Sequence, residues 1–247
     1  TIQDGIEMAQ AGDTVMVLPG EYSETLMIDK SNITIMGQKN NNVWPILNGQ
    51  NKLPDAAVGT GSNIEINGFE IKDYTANGLM LNRSKAVTFR NIHCDNTGLY
   101  GIYPVECVGV LVEQCSVTGI SDAGIYVGQS KDIVVRNNVA YGNVTGIEIE
   151  NSVNALVENN EVYDNAGGIL VFLLPNNPSK VSTNCRIINN YIYKNNHVNF
   201  GEPGSIVSNV PQGTGLMVMA GDSVEVTGNR FHDNQSFGAA VIGLDLF

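Results

Sequence analysis

The chain has 247 residues, 43% of them hydrophobic, enough for one large folded domain with a substantial core. Its 25 acidic against 13 basic residues give a formal charge of -12, which argues against nucleic acid or an anionic membrane surface as partner and leaves cations, neutral glycans or basic proteins. No apolar run approaches the roughly 18 residues that a bilayer-spanning helix needs, so no transmembrane segment is expected.

The first residues, TIQDGIEMAQAGDTVMVLPGEY, place apolar side chains at Ile2, Ile6, Met8 and Ala9, spacing that predicts a short amphipathic helix within Ile2 to Ala11. Gly12-Asp13 then turns into a strand over Thr14 to Leu18. Such a helix would plug the open end of a solenoid, whose terminal repeat must hide its apolar edge. Thr1 is not an initiator Met, so either a leader has been removed or the sequence is a fragment.

Farther on the chain repeats itself. VRNNVAYGNVTGIEI, from Val135, is echoed by VENNEVYDNAGGILV, from Val157. Glycines followed by an aliphatic side chain recur at Gly78, Gly101, Gly124, Gly146 and Gly168, at intervals of 23, 23, 22 and 22, and again at Gly215 and Gly238. That period, built from short runs with apolar spacing of two and many β-branched residues, is a solenoid signature. In one repeat Ile133 and Val135, then Asn138 and Ala140, then Ile147 and Ile149 are expected to point inward, giving three short strands per coil. Stacked coils then make three parallel sheets, a parallel β-helix forming a single domain over 1–247, with the cap at 1–13 and regular coils from about 60 to 247.

Each column of the repeat has a physical reading. Asn138, Asn160, Asn190 and Asn229 are expected to form one amide ladder at a buried bend, and Asn143, Asn165, Asn195 and Asn234 a second at the next bend, where left-handed backbone also suits Asn. The glycines are expected where the chain turns tightly into the third strand. Arg90, Glu113, Arg136 and Glu158 alternate in sign along an outward column, and Tyr141, Tyr163, Tyr193 and His232 stack in another. Cys94, Cys107, Cys115 and Cys185 lack metal-site spacing and are expected as buried thiols. The final VIGLDLF carries no polar cap, so either a partner covers that end or a further stretch of chain does.

The opening IQDGIEMAQAGDTVMVLPGEY, the repeated NN and Gly-Ile coils, and GIYPVECVGVLVEQCSVTGISDAGIYVGQS resemble the exported right-handed parallel β-helix repeat proteins of the pectin-lyase-like superfamily, over nearly the whole chain. The resemblance implies right-handed coiling and a periplasmic, cell-surface or secreted protein. It also implies kinship with pectate lyases, polygalacturonases, alginate lyases and mannuronan epimerases, which act on acidic polysaccharides. The catalytic strings of those enzymes (NTD, DD, GHD and RIK; DPHD; RxPxxR) do not occur here, so no catalytic residue carries over.

A site is expected where two insertions, 172–184 and 196–214, break the period on either side of the third-strand sheet. Tyr103, Tyr126, Glu148 and Glu150 lie on the outward face of that sheet and are the catalytic candidates. Asp122, Phe172 and His197, at a neighbouring strand end and in the insertions, are candidates for substrate binding. Glu148 and Glu150, about 7 Å apart along one strand, could act as acid and base, hold a calcium ion, or form a solvated acidic face. No Arg lies on this face to neutralise a uronate, which weakens a lyase reading. The expected function is recognition of an acidic polysaccharide on the third-strand sheet, with processing by lyase, epimerase or hydrolase chemistry as a further step open to it. The alternative is a non-catalytic scaffold docking a surface protein.

Overall fold

The computed structural model describes residues 1–243. The fold follows from the period-two pattern. In one coil the strands are Lys131–Arg136, Val139–Tyr141 and Thr145–Glu150, and Ile133, Val135, Ala140, Ile147 and Ile149 are all buried in a common core. Each strand pairs in parallel with its counterpart in the next coil: Val112 with Val135 and Val135 with Val157, Val117 with Ala140 and Ala140 with Val162, Ile125 with Ile147 and Ile147 with Ile169. The solenoid has three faces. The first two join as one 16-stranded sheet because Ile64–Tyr74 and Lys85–Thr97 run through the bend between them unbroken, while the third face is a separate nine-stranded sheet.

Stacking begins before the regular period does. Thr14–Val17 pairs with Ile33–Gly37, which pairs with Ile64–Tyr74, and Leu26–Ile28 pairs with Asp55–Gly59. Loops of unequal length between these early strands hid their repeat in the sequence. The helix spans Ile2–Met8, closed by a capping box between Thr1 and Asp4. Ile2 and Ile6 enter the core, but Met8 is 82% exposed and Ala9 already has extended backbone, so the helix is shorter and its apolar stripe narrower than expected. Among the described residues no helix is long and apolar enough to cross a membrane. The expected cover over VIGLDLF concerns an end that lies largely outside the described residues.

The asparagine columns are hydrogen-bonded ladders. Asn138 donates through Nδ2 to Asn160 Oδ1 (3.0 Å), Asn160 to Asn190 (2.9 Å) and Asn190 to Asn229 (2.9 Å). The second ladder runs from Asn143 to Asn165 (3.0 Å), Asn195 (2.9 Å) and Asn234 (3.1 Å). Left-handed backbone falls one residue earlier than expected: Asn137, Asn159 and Asn189 at the first bend, Gly142, Asp164, Lys194 and Asp233 at the second. Each Asn-Asn pair therefore divides its labour, the first residue turning the chain and the second bonding the stack.

The glycine column also has a different cause from the one expected. Its members sit inside strands without left-handed backbone. A Cβ on Gly146 would come within 2.7 Å of the carbonyl oxygen of Gly168 in the next coil, so close backbone approach excludes any side chain there. Glu113 pairs with both arginines of its column, Arg90 at 2.6 Å and Arg136 at 2.8 Å. Tyr141, Tyr163, Tyr193 and His232 stack at 5.3, 5.2 and 5.0 Å between ring centroids, so most ring faces are already covered by a neighbour. The four cysteines are buried free thiols.

Candidate functional site

The third face carries a second apolar layer on its outer side. Val144, Leu170, Phe172, Met217 and Met219 project away from the solenoid axis and are buried under Val207 and Val210 of the second insertion. The first insertion is tied down by Asn151, whose Nδ2 donates to the carbonyls of Leu174 (2.8 Å) and Ser179 (2.5 Å) while its Oδ1 accepts from Leu174 N (2.8 Å). Both insertions thus fold onto the sheet that they flank in sequence. What they roof over is the carboxylate cluster.

Glu148 and Glu150 do point outward from the coil, as alternation requires, yet they are only 2% and 7% exposed. The solvated acidic face is therefore excluded. A cavity of about 240 Å³ remains, floored by Tyr100, Asp122, Glu148 and Glu150 and roofed by Leu174 and Ser205, Ile206 and Val207. Tyr126 donates its hydroxyl to Glu150 Oε1 at 2.6 Å, and Asn177 of the first insertion donates to the same oxygen. Tyr126 can lie back along its strand to make this bond because position 128 is glycine; a Cβ there would run into the Tyr126 ring. Tyr100, Tyr103 and Tyr126 pack together with centroids 4.4 to 5.0 Å apart.

Electrostatics separate the roles of these groups. Burial drives the Glu148 carboxyl well above the ordinary carboxylate range, and the neighbouring charges of Glu150 and Asp122 push it the same way. Glu150 is also raised by burial, but bonds from Tyr126, Asn177 and Glu148 oppose that by favouring its anion. The hydrogen bond between the two carboxyls raises the pKa of Glu148 and lowers that of Glu150. Burial first, then Glu150, pushes Asp122 up to about 7. Desolvation likewise raises the phenols of Tyr100, Tyr103 and Tyr126, which stay protonated. Oε2 of Glu148 is buried and meets no donor in the protein.

The expected residues are partly brought together. Asp122, Glu148 and Glu150 share the cavity, and Tyr126 holds Glu150 through a hydroxyl that is donated rather than free to abstract a proton. Tyr103 stands behind Tyr100 and Tyr126 and does not line the cavity. Phe172 is fully buried in the apolar layer as a wall. His197 lies apart, its Nδ1 3.5 Å from Asp164 Oδ1 and its ring against Phe200. A pair within hydrogen-bond reach is too close to straddle a glycosidic bond, which requires carboxyls about 5 Å or more apart. Among the described residues no set of three or more His, Cys, Asp or Glu side chains is arranged to hold a metal ion. Tyr100, Asn177 and Ser205 escaped the sequence reading; the last two lie in off-period insertions whose docking no repeat specifies.

The family model described as "Right handed beta helix region" matches residues 39–180, more than half of the chain. The chain belongs to this right-handed β-helix family. No curated protein matches it in sequence. Solved β-helix structures do match in shape. An alginate lyase from Paenibacillus sp. str. FPU-7 superposes with a TM-score of 0.63 at 16% identity, over 98% of this chain and 94% of its own. The A-module of the mannuronan C-5 epimerase AlgE4 from Azotobacter vinelandii gives 0.53 at 16% identity, over 99% and 91%. A DFA-IIIase from Arthrobacter chlorophenolicus A6, in complex with DFA-III, gives 0.58 at 14% identity, over 93% and 70%. At these identities the likeness is one of fold, and the chemistry rests on this chain's own residues.

Proposed function

We propose that this β-helix protein processes a glycan at the roofed carboxyl cluster by hydrolysis of a glycosidic bond. The observation that carries the reading is a buried Glu148 that keeps its proton in the same cavity as an Asp122 poised near neutrality, the environment split that acid–base catalysis needs. Glu148 protonates the leaving oxygen as the bond from the anomeric carbon to that oxygen breaks. A water oxygen bonds to the anomeric carbon, and its proton passes to the Asp122 carboxylate. Glu150, whose Oε1 accepts from Tyr126 and Asn177, is the neighbouring carboxyl that orients the Glu148 proton and helps restore it. Carbohydrate-acting enzymes among the structural neighbours support this class of chemistry on the same scaffold.

The test is turnover by single variants on a panel of oligosaccharides, with reducing ends as the readout. Glu148→Gln and Asp122→Asn should each lower kcat by about 10²–10⁴-fold with the fold intact. Tyr126→Phe should shift the acidic limb of the pH profile without abolishing turnover. Full activity in the Glu148→Gln variant would end the proposal.

A further inference from the structure

The chemistry of the cavity lining bears on the charge of the sugar. Three carboxyl groups and one phenol make its floor, with Leu174, Ile206 and Val207 in its roof, and no Lys, Arg or His occurs among the described residues that line it. Arg83, in the turn column at the end of this face, is engaged by Glu106 at 2.6 Å. A uronate entering this site would bring a fourth carboxyl beside Asp122, Glu148 and Glu150 in a desolvated space, where like charges disfavour one another and no cation offsets them. A neutral sugar meets the opposite situation. Its hydroxyls both donate and accept, and Oε2 of Glu148 is buried without a partner in the protein, open to a sugar hydroxyl. The Tyr100 ring and the aliphatic roof match the apolar C–H face of a pyranose or furanose.

Size gives the second constraint. About 240 Å³ falls below the roughly 300–1,000 Å³ typical of sites for larger ligands, so the space suits one ring. Leu174 of the first insertion and Ser205, Ile206 and Val207 of the second border it and limit its extent along the solenoid.

Resting on the glycan-hydrolase reading above, we infer that this site takes a single neutral sugar ring at the end of a glycan, and not the uronate of an acidic polysaccharide. The experiment compares polymers that differ only in charge: polygalacturonate and alginate, each against the same polymer after carboxyl reduction to neutral sugars, together with fructan and xylan oligosaccharides. Binding is read by calorimetry and turnover by chain-end release, with wild type and Glu148→Gln in parallel. The expected result is preference of about tenfold or more for a neutral member of the panel, with short products from chain ends and no endo-cleavage. Wild-type turnover of a uronate polymer that Glu148→Gln abolishes would overturn the neutral-sugar inference while leaving the hydrolase reading standing. No binding or turnover of any sugar would overturn both.

Discussion

At the scale of single residues, asparagine does two different jobs one position apart. Asn160 lies inside the stack: its Oδ1 accepts from Asn138 N and Nδ2, and its Nδ2 donates to Val135 O and Asn190 Oδ1. Asn159 beside it carries the left-handed turn at φ 54°. Asn160→Ala leaves buried donors and acceptors unpaired in two coils and should destabilise by about 1–3 kcal/mol. Asn159→Ala should cost about 1 kcal/mol through backbone strain alone, and Asn159→Gly much less. Urea unfolding midpoints of the three variants check this, and equal effects of Asn160→Ala and Asn159→Gly would remove the division of labour. The ladder was legible in the sequence because both columns repeat. The backbone role was assigned one residue late, since alternation fixes which side chains point inward and says nothing about where the chain turns.

At the scale of elements, what matters is how two off-period segments become part of a site. The coils are specified by their neighbours, each strand reading its register from the strand below. An insertion has no such template and depends on side-chain anchors. Asn151 supplies one, bonded at three points to Leu174 and Ser179, and Val207 and Val210 supply another by covering Phe172 and Met219. This is why the sequence places Glu148 and Glu150 on one outward face yet leaves open whether that face is solvated: alternation gives direction, and burial is decided by loops outside the repeat. Asn151→Ala should release the 172–184 segment, seen as faster proteolytic cleavage there with a fall of no more than about 2 kcal/mol in global stability. Because Asn177 rides on the same segment, the variant should also lose part of the support for the Glu150 anion and weaken turnover.

At the scale of the whole molecule, the acidic balance and the buried cluster act on stability in the same direction. A carboxyl whose pKa is raised on folding binds more protons in the folded state than in the unfolded one. Its contribution is fully present below the unfolded value near 4 and is lost as pH rises through the folded value. For Asp122 that folded value is about 7, and for Glu148 it lies well above the ordinary range, so the loss extends from mildly acidic to alkaline conditions. The thermal midpoint should therefore fall between pH 5 and pH 8, as self-repulsion among the excess acidic groups would also make it do. Variants separate the two causes. Asp122→Asn and Glu148→Gln each remove a group that is costly to ionise in place, and should raise the pH 8 midpoint above wild type while leaving pH 5 nearly unchanged. For a chain of this size each kcal/mol so recovered appears as about 2–4 °C. A neutralising change at an exposed carboxylate such as Asp132 should move the midpoint little at either pH. Calcium and a chelator should give the same midpoint, since among the described residues no group of three or more His, Cys, Asp or Glu side chains is placed to hold a metal ion. Gain of stability on removal of the cluster, coupled to loss of turnover, is the pattern expected where a fold carries strain for the sake of a reaction. A pH 8 midpoint that falls in both variants would mean that the carboxyls hold the roof in place structurally, and would take the acid–base assignment with it.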